Sequence, residues 1–230
     1  MMFRKLYSLK QKIYEYGRSM IRDGVPVFMV HHVTSLSIEE RNNLSIGNSE
    51  FRTFIEELSD EGYQFIRPDQ LEESFGKKTC MITFDDIFKD AFDNGISYLE
   101  DNNIPYLCFI SPGYLGKEKY IDEVDLNCLL HSSFCTIGAH GLNHRLFRQL
   151  SENEKKKEIS NKEHELLLGC KIKDFAFPYG SFYACDSFSV KTAKQEFSRV
   201  YSTLNSQSIK GDLGGMIPRI NLNSEFVSRK

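Results

Sequence analysis

Short apolar runs alternate with helical patterns along nearly the whole chain, and this alternation restricts the fold more than any other feature. Runs at 25–30, 63–66, 80–84, 106–110, 135–139, 175–177, 199–202 and 216–221 read as strands. Helical spacing occupies 49–60, 68–75, 89–101, 151–168 and 186–197. Phe51, Phe54, Ile55 and Leu58, for instance, share one helix face, and Gly62 ends that helix. Ser151-Glu152-Asn153-Glu154 has the spacing of a capping box. Strands threaded through helices return to the same end of a sheet and pair in parallel. About seven such units without a linker predict a single closed α/β barrel, whose chemistry sits at the C-terminal ends of its strands.

Two segments stand outside the alternation. In the N-terminal segment 1–24, residues 1–22 carry Arg4, Lys5, Lys10, Lys12, Arg18 and Arg22 against Glu15 alone, with Leu6, Ile13 and Met20 recurring every seven residues. That is a basic amphipathic helix. It reads either as a helix packed against the domain or closing one end of it, or as a peripheral contact of residues 1–22 with an anionic membrane surface. Residues 111–132 break the pattern with Pro, Gly, Tyr and acidic residues, and read as an insertion near a binding face. The barrel domain is expected to span 25–230.

Of the 230 residues 40% are hydrophobic and 27% charged, enough for a core of real size. A formal charge of −3 offers no basic stripe for nucleic acid. The six cysteines form no CxxC pair, and Cys80, Cys108 and Cys135 lie in or beside apolar runs, as buried reduced thiols do. No secretory pattern opens the sequence, and no run approaches the ~20 apolar residues of a membrane span. A cytoplasmic protein, membrane-peripheral if the basic helix docks, is the expectation.

Three segments that follow strands carry the chemistry: Thr83-Phe84-Asp85-Asp86, His140-Gly141-Leu142-Asn143-His144 and Phe177-Pro178-Tyr179-Gly180. Each has a bland reading alone. A carboxylate after a strand often caps a helix, and Pro-Tyr-Gly is ordinary turn chemistry. His140 and His144 are spaced so that a helical turn would put both rings beside one ion. Together they supply about three ligands for a divalent metal and a base beside it, the needs of a metal-dependent hydrolase.

These segments resemble the polysaccharide deacetylase family, the NodB-homology carbohydrate esterases, over roughly residues 25–222. The resemblance implies a distorted (β/α)7 barrel of the NodB type. It implies that Asp85 is the catalytic base and that Asp86, His140 and His144 hold one divalent metal, Zn²⁺ with Co²⁺ or Ni²⁺ as alternatives. Phe175-Ala176-Phe177-Pro178-Tyr179-Gly180 is similar to the family's third motif, so Pro178, Tyr179 and Gly180 would line the substrate groove and the Tyr179 N–H would serve an oxyanion hole.

Two departures shape the assignment. The family's late Leu-x-His motif is missing, since no His follows His164. Met29-Val30-His31 after the first strand instead resembles the permuted branch that acts on poly-N-acetylglucosamine. His31 is therefore assigned as a general acid with a pKa near neutral, and His32 is its rival and a substrate-binding candidate. Asp174 stands where many relatives place an Arg before the third motif, and Trp is absent from the chain. Arg219, in Ile217-Pro218-Arg219-Ile220, resembles the permuted branch and would orient the base; a surface arginine is the alternative.

The implied activity is removal of an N-acetyl or other N-acyl group from an amino sugar or glycan intermediate, lipid-linked substrates included. A deformylase acting on a lipid-linked amino sugar and a catalytically inactive glycan-binding relative are the competing readings.

Overall fold

The computed structural model describes residues 10–12, 14, 15, 17 and 24–228. The basic amphipathic segment, and with it the membrane contact, lies largely outside the described residues. Its described positions, 10–12, 14, 15 and 17, are helical. The Tyr14 ring meets Phe182 edge-on at 5.5 Å, and Glu15 accepts a hydrogen bond from the Asn205 N–H at 3.2 Å.

Seven short parallel strands form the ring: β1 (Val27–Val30), β5 (Thr79–Asp85), β6 (Tyr106–Ile110), β7 (Cys135–Ala139), β8 (Asp174–Ala176), β9 (Arg199–Tyr201) and β10 (Ile220–Asn221). They are ordered β10-β1-β5-β6-β7-β8-β9. β4 (Gln64–Phe65) adds to the start of β5, where Gln64 pairs with Thr79. β5 is buried at all seven positions, as expected for a strand covered on both faces.

Alternation along the strands divides the core in two. Val27, Met81, Leu107, Phe109, Ala176, Tyr201 and Ile217 pack together inside the barrel. Phe28, Cys80, Ile82, Phe84, Tyr106, Cys108 and Phe175 point the other way, into the layer that includes Phe51, Phe54, Leu99, Leu129 and Ile159 of the helices. A strand's period of two then carries the interior face upward from Met81 to Thr83 and Asp85, and from Ile217 to Arg219.

The ring closes through one divided segment. Ile217 N–H donates to the Val200 carbonyl at 2.8 Å, and Ser202 N–H donates to the Ile217 carbonyl at 2.9 Å. Three residues later the same segment has crossed to β1, with Ile220 opposite Phe28. Pro218, which has no N–H to donate, sits in the crossing. The expected last strand over 216–221 thus serves two neighbours in turn.

The covering helices are α1 (Asn48–Asp60), α2 (Ser97–Asp101), α3 (Glu123–His131), α4 (Glu152–Ile159), α5 (Asn161–Leu168), α6 (Ser187–Glu196) and α7 (Ser224–Val227). Several sequence expectations change in detail. The helix over 89–101 contains a π turn at Ala91–Ile96, where Gly95 lets the Val33 side chain approach: a Cβ there would lie 2.7 Å from Val33 Cγ2. The helix over 151–168 breaks at Ser160, which stops α4 and caps α5 by accepting from the Glu163 N–H. The helix over 68–75 is two 3₁₀ turns. Of the insertion expected at 111–132, residues Glu123–His131 form the regular helix α3, which Asp122 caps, so the added chain is 111–122. A small parallel pair, β2 (His32–Thr34) with β3 (Ser45–Gly47), extends beyond β1 and had no clear signal, each strand being three residues long.

Gly138 of β7 is required by close packing. A Cβ on it would sit 2.6 Å from Phe109 Cδ1, and the Phe109 ring lies beneath the Arg219 guanidinium at 5.1 Å. Gly138→Ala is expected to cost about 1–3 kcal/mol through overpacking. Thermal unfolding checks this, and an unchanged Tm would show that Phe109 moves freely.

Candidate metal and catalytic centre

Apart from Arg219, the residues singled out in the sequence stand at or beyond the C-terminal ends of ring strands. Asp85 ends β5 and Asp86 follows it. His140 comes directly after β7, Pro178, Tyr179 and Gly180 follow β8, and His31 follows β1. Arg219 enters from the closing segment.

Asp85 and Arg219 form a buried bidentate pair. Nη1 donates to Oδ1 at 2.6 Å and Nη2 to Oδ2 at 2.7 Å, and the two residues are 1% and 0% exposed. The guanidinium also donates to Thr83 Oγ1 at 3.2 Å and to the Ser202 carbonyl at 3.0 Å. The alternative of a surface arginine is therefore excluded. Burial works to raise the Asp85 pKa, but the Arg219 guanidinium, through its charge and its hydrogen bonds, outweighs it and holds the carboxyl well below its ordinary range. Asp174, in place of the family's arginine, is committed elsewhere. It binds Arg199 through two contacts of 2.6 and 2.8 Å and accepts from Tyr201 Oη at 2.9 Å.

Asp86, His140 and His144 present ligand atoms within 4.8 Å of one another. The helical turn expected at His140–His144 is absent. Gly141 and His144 adopt left-handed φ of 71° and 52°, and the loop is held by Glu158, which accepts from the Asn143 N–H and Nδ2 at 2.8 Å each. This carboxylate on a helix's buried face is an anchor that sequence reading did not anticipate. The His140 Nδ1–H donates to the Ala176 carbonyl at 2.8 Å, leaving the Nε2 lone pair for the site.

The donor set fits a divalent cation. Asp86 Oδ1 is buried without a hydrogen bond, although it lies 3.2 Å from His144 Nε2 and 3.9 Å from His140 Nε2. Two ligands at ~2.1 Å around a tetrahedral ion stand about 3.4 Å apart, so the spacing suits one. Burial, then the neighbouring Asp85 charge, push the Asp86 carboxyl up to about 7, with Arg219 partly opposing. Burial lowers both rings, His140 to about 3 against the pull of Asp85, so both are neutral and ready to ligate.

His31 and His32 occupy different settings. His31 is buried, its Nδ1 has no hydrogen bond, and burial pushes its ring down to about 4 against the attraction of Asp85. It is thus a neutral imidazole rather than the near-neutral cationic acid expected. His32 Nδ1 lies 3.1 Å from both Asp90 oxygens, and its ring stacks on Phe88 at 3.9 Å. Tyr179 is 57% exposed at φ 60°, and its ring meets His144 edge-on at 5.0 Å. The Tyr179 N–H has no hydrogen-bond acceptor among the described residues, while the turn is pinned by Gly180 N–H to Phe177 O and Thr203 N–H to Gly180 O, both 3.0 Å.

The profile of polysaccharide deacetylases matches residues 72–196, more than half of the chain and most of this centre. The chain belongs to the polysaccharide deacetylase family. YxkH of Bacillus subtilis (strain 168), which carries the polysaccharide deacetylase name, is 22% identical over 60% of this chain and 49% of its own length. The chain thus spans about half of that relative. Poly-beta-1,6-N-acetyl-D-glucosamine N-deacetylase of Staphylococcus epidermidis is 24% identical over 79% of this chain and 69% of that one. Among solved structures, the Streptococcus pyogenes deacetylase PplD, determined with acetate, superposes with a TM-score of 0.77. It is 18% identical over 90% of this chain and 97% of that one. This likeness shows the barrel of NodB-type deacetylases. No helix among the described residues is long and apolar enough to cross a membrane.

Two outcomes test the centre. After equilibration with zinc and desalting, mass spectrometry should find about one equivalent in wild type and little in His140→Ala. The second follows from Asp86, whose pKa in the fold is near 7 against 3.8 for the free side chain. Metal-free protein therefore loses stability as pH rises between those values, and the full penalty, on the order of 2–4 kcal/mol, applies above pH 7. In chelator, Asp86→Asn should raise Tm at pH 8 and change it little at pH 4, where both forms are neutral. Equal shifts at the two pH values would show that Asp86 is not buried as an unpaired carboxylate.

Proposed function

We propose that this protein is a metal-dependent hydrolase that removes an N-acetyl group, or a related N-acyl group, from an amino sugar within a glycan or glycan intermediate. The observation that carries the reading is the buried Asp86–His140–His144 group beside an ionised carboxylate clamped by Arg219. Family membership supports amide hydrolysis on a glycan. The names of the Staphylococcus relative and of the acetate-bound structure support acetyl as the group released.

A divalent ion held by these three residues, Zn²⁺ by its mixed nitrogen and oxygen donors, would lower the pKa of a bound water toward ~7 and polarise the amide carbonyl. The remaining roles fall to the chain. Asp85, ionised at every working pH, accepts the proton that water loses on attack. Arg219 fixes both carboxylate oxygens and so fixes the direction of that transfer. The unpaired Tyr179 N–H is available to donate to the oxyanion. Asp85 is too weak a base to retain the proton. His31, neutral and electrostatically coupled to Asp85, takes it up and passes it to the amine as the C–N bond breaks. The products are a free amino sugar and a carboxylate.

Formyl in place of acetyl requires no change in these groups. A lipid-linked substrate and a peripheral membrane contact are supported by the basic character of residues 1–22. Six free cysteines, three of them buried, support a reducing, cytoplasmic setting.

The test is acetate release from N-acetylglucosamine oligomers by the zinc-loaded protein. Asp85→Asn should retain zinc and lose about 10²- to 10⁴-fold in kcat. A near-normal rate in that variant would remove Asp85 from the role of base.

A further inference from the structure

The added chain 111–122 is fastened to both metal-bearing loops. On one side Phe88 and Tyr120 form an antiparallel bridge, the Lys89 N–H donates to the Lys119 carbonyl at 2.8 Å, and the Ile121 N–H donates to Ile87 at 3.3 Å. These partners directly follow Asp86. On the other side the Gly113 N–H donates to the Leu142 carbonyl at 2.8 Å, two residues before His144. Gly113 has no room for a side chain, since a Cβ would lie 2.8 Å from Leu142 O and from Asn143 Oδ1. The segment is a fixed wall of the site.

That wall delivers two tyrosines. The Tyr114 ring lies 5.6 Å from the His144 ring and 4.7 Å from Tyr120, and Tyr120 stacks on Phe88 at 4.7 Å, which stacks in turn on His32. The four rings form a continuous column that starts beside a metal ligand. Both tyrosines are half-buried.

Their hydroxyls differ from those of three tyrosines committed to carboxylates. Tyr98, Tyr106 and Tyr201 donate to Glu56, Glu100 and Asp174. The Tyr114 and Tyr120 hydroxyls hydrogen-bond to no described residue. A half-buried phenol whose ring is held in a column beginning at His144, and whose hydroxyl has no partner among the described residues, is a preformed contact for a polar ligand.

We propose that Tyr114 and Tyr120 bind the sugar ring that carries the acyl amide, their hydroxyls pairing with its hydroxyl groups, and so restrict the centre to pyranosides. This rests on the deacetylase reading above and adds to it the groups that recognise carbohydrate. Each hydroxyl can donate to and accept from a sugar hydroxyl, whereas an acyl amide without a sugar would leave both unpaired.

Phe substitutions keep the ring column and remove only the hydroxyls. Calorimetric titration of zinc-loaded protein should show that Tyr114→Phe and Tyr120→Phe each bind an N-acetylglucosamine trimer about 3- to 10-fold more weakly. Acetohydroxamate, which chelates metal and carries no sugar, should bind these variants as it binds wild type. Equal weakening toward both probes would show that the tyrosines shape the metal site rather than read the sugar. Undiminished trimer affinity in both variants would overturn the proposal outright. A wild-type protein that binds acetohydroxamate and no trimer would instead overturn the sugar-substrate reading on which the proposal stands.

Discussion

The interior of this barrel is apolar up to its last layer, where the Asp85 carboxylate and the Arg219 guanidinium are both removed from water. Neither charge is tolerable there alone, because an isolated buried ion costs several kcal/mol. Bidentate pairing neutralises both, and further contacts to Thr83 and Ser202 bring the guanidinium's hydrogen bonds to four. The pair joins residues 134 apart in sequence, so it ties the second ring strand to the segment that closes the ring. Gly138 belongs to the same arrangement: its missing side chain admits the Phe109 ring on which Arg219 rests.

Around this pair the backbone is strained where the chemistry lies. Of six non-glycine residues with positive φ among those described, Asp86, Ile87, His144 and Tyr179 belong to the site or adjoin it. Such conformations cost of order 1–3 kcal/mol each and persist only where the surroundings enforce them. Glu158 and the turn pinned to β9 provide that enforcement. Asp86 adds an electrostatic penalty, which a bound cation reverses. Strain and charge thus accumulate on the same residues, Asp86 and His144, that form the candidate cation site.

Much of this was legible in sequence because barrels convert order along the chain into position. An apolar run ending in Asp85-Asp86 or reaching His140 puts those side chains at one rim whatever the details of the intervening helices. The family motifs then assigned roles. What the sequence could not convey depended on contacts between distant segments. Arg219 reads equally as a surface residue until the closing segment is seen to cross from β9 to β1. The acid–base state expected for His31 failed because burial, invisible in a His-His dipeptide, outweighs the nearby carboxylate. The His140–His144 spacing matched a helical turn, yet Gly141 and the reach of Glu158 favour a loop. The wall at 111–122 was recognised only as an interruption, since cross-loop bridges have no sequence period.

The divided closing segment has a temporal consequence. Asp85 leaves the ribosome long before Arg219, and until residues 216–221 are available the ring has no partner for the free edges of β9 and β1. A chain lacking residues 216–221 would keep Asp86, His140 and His144 but not Arg219, the partner that fixes both Asp85 oxygens. Pairing of the closing segment with β9 and β1 and burial of the Asp85 charge are therefore one event, because the residue that neutralises Asp85 lies within that segment.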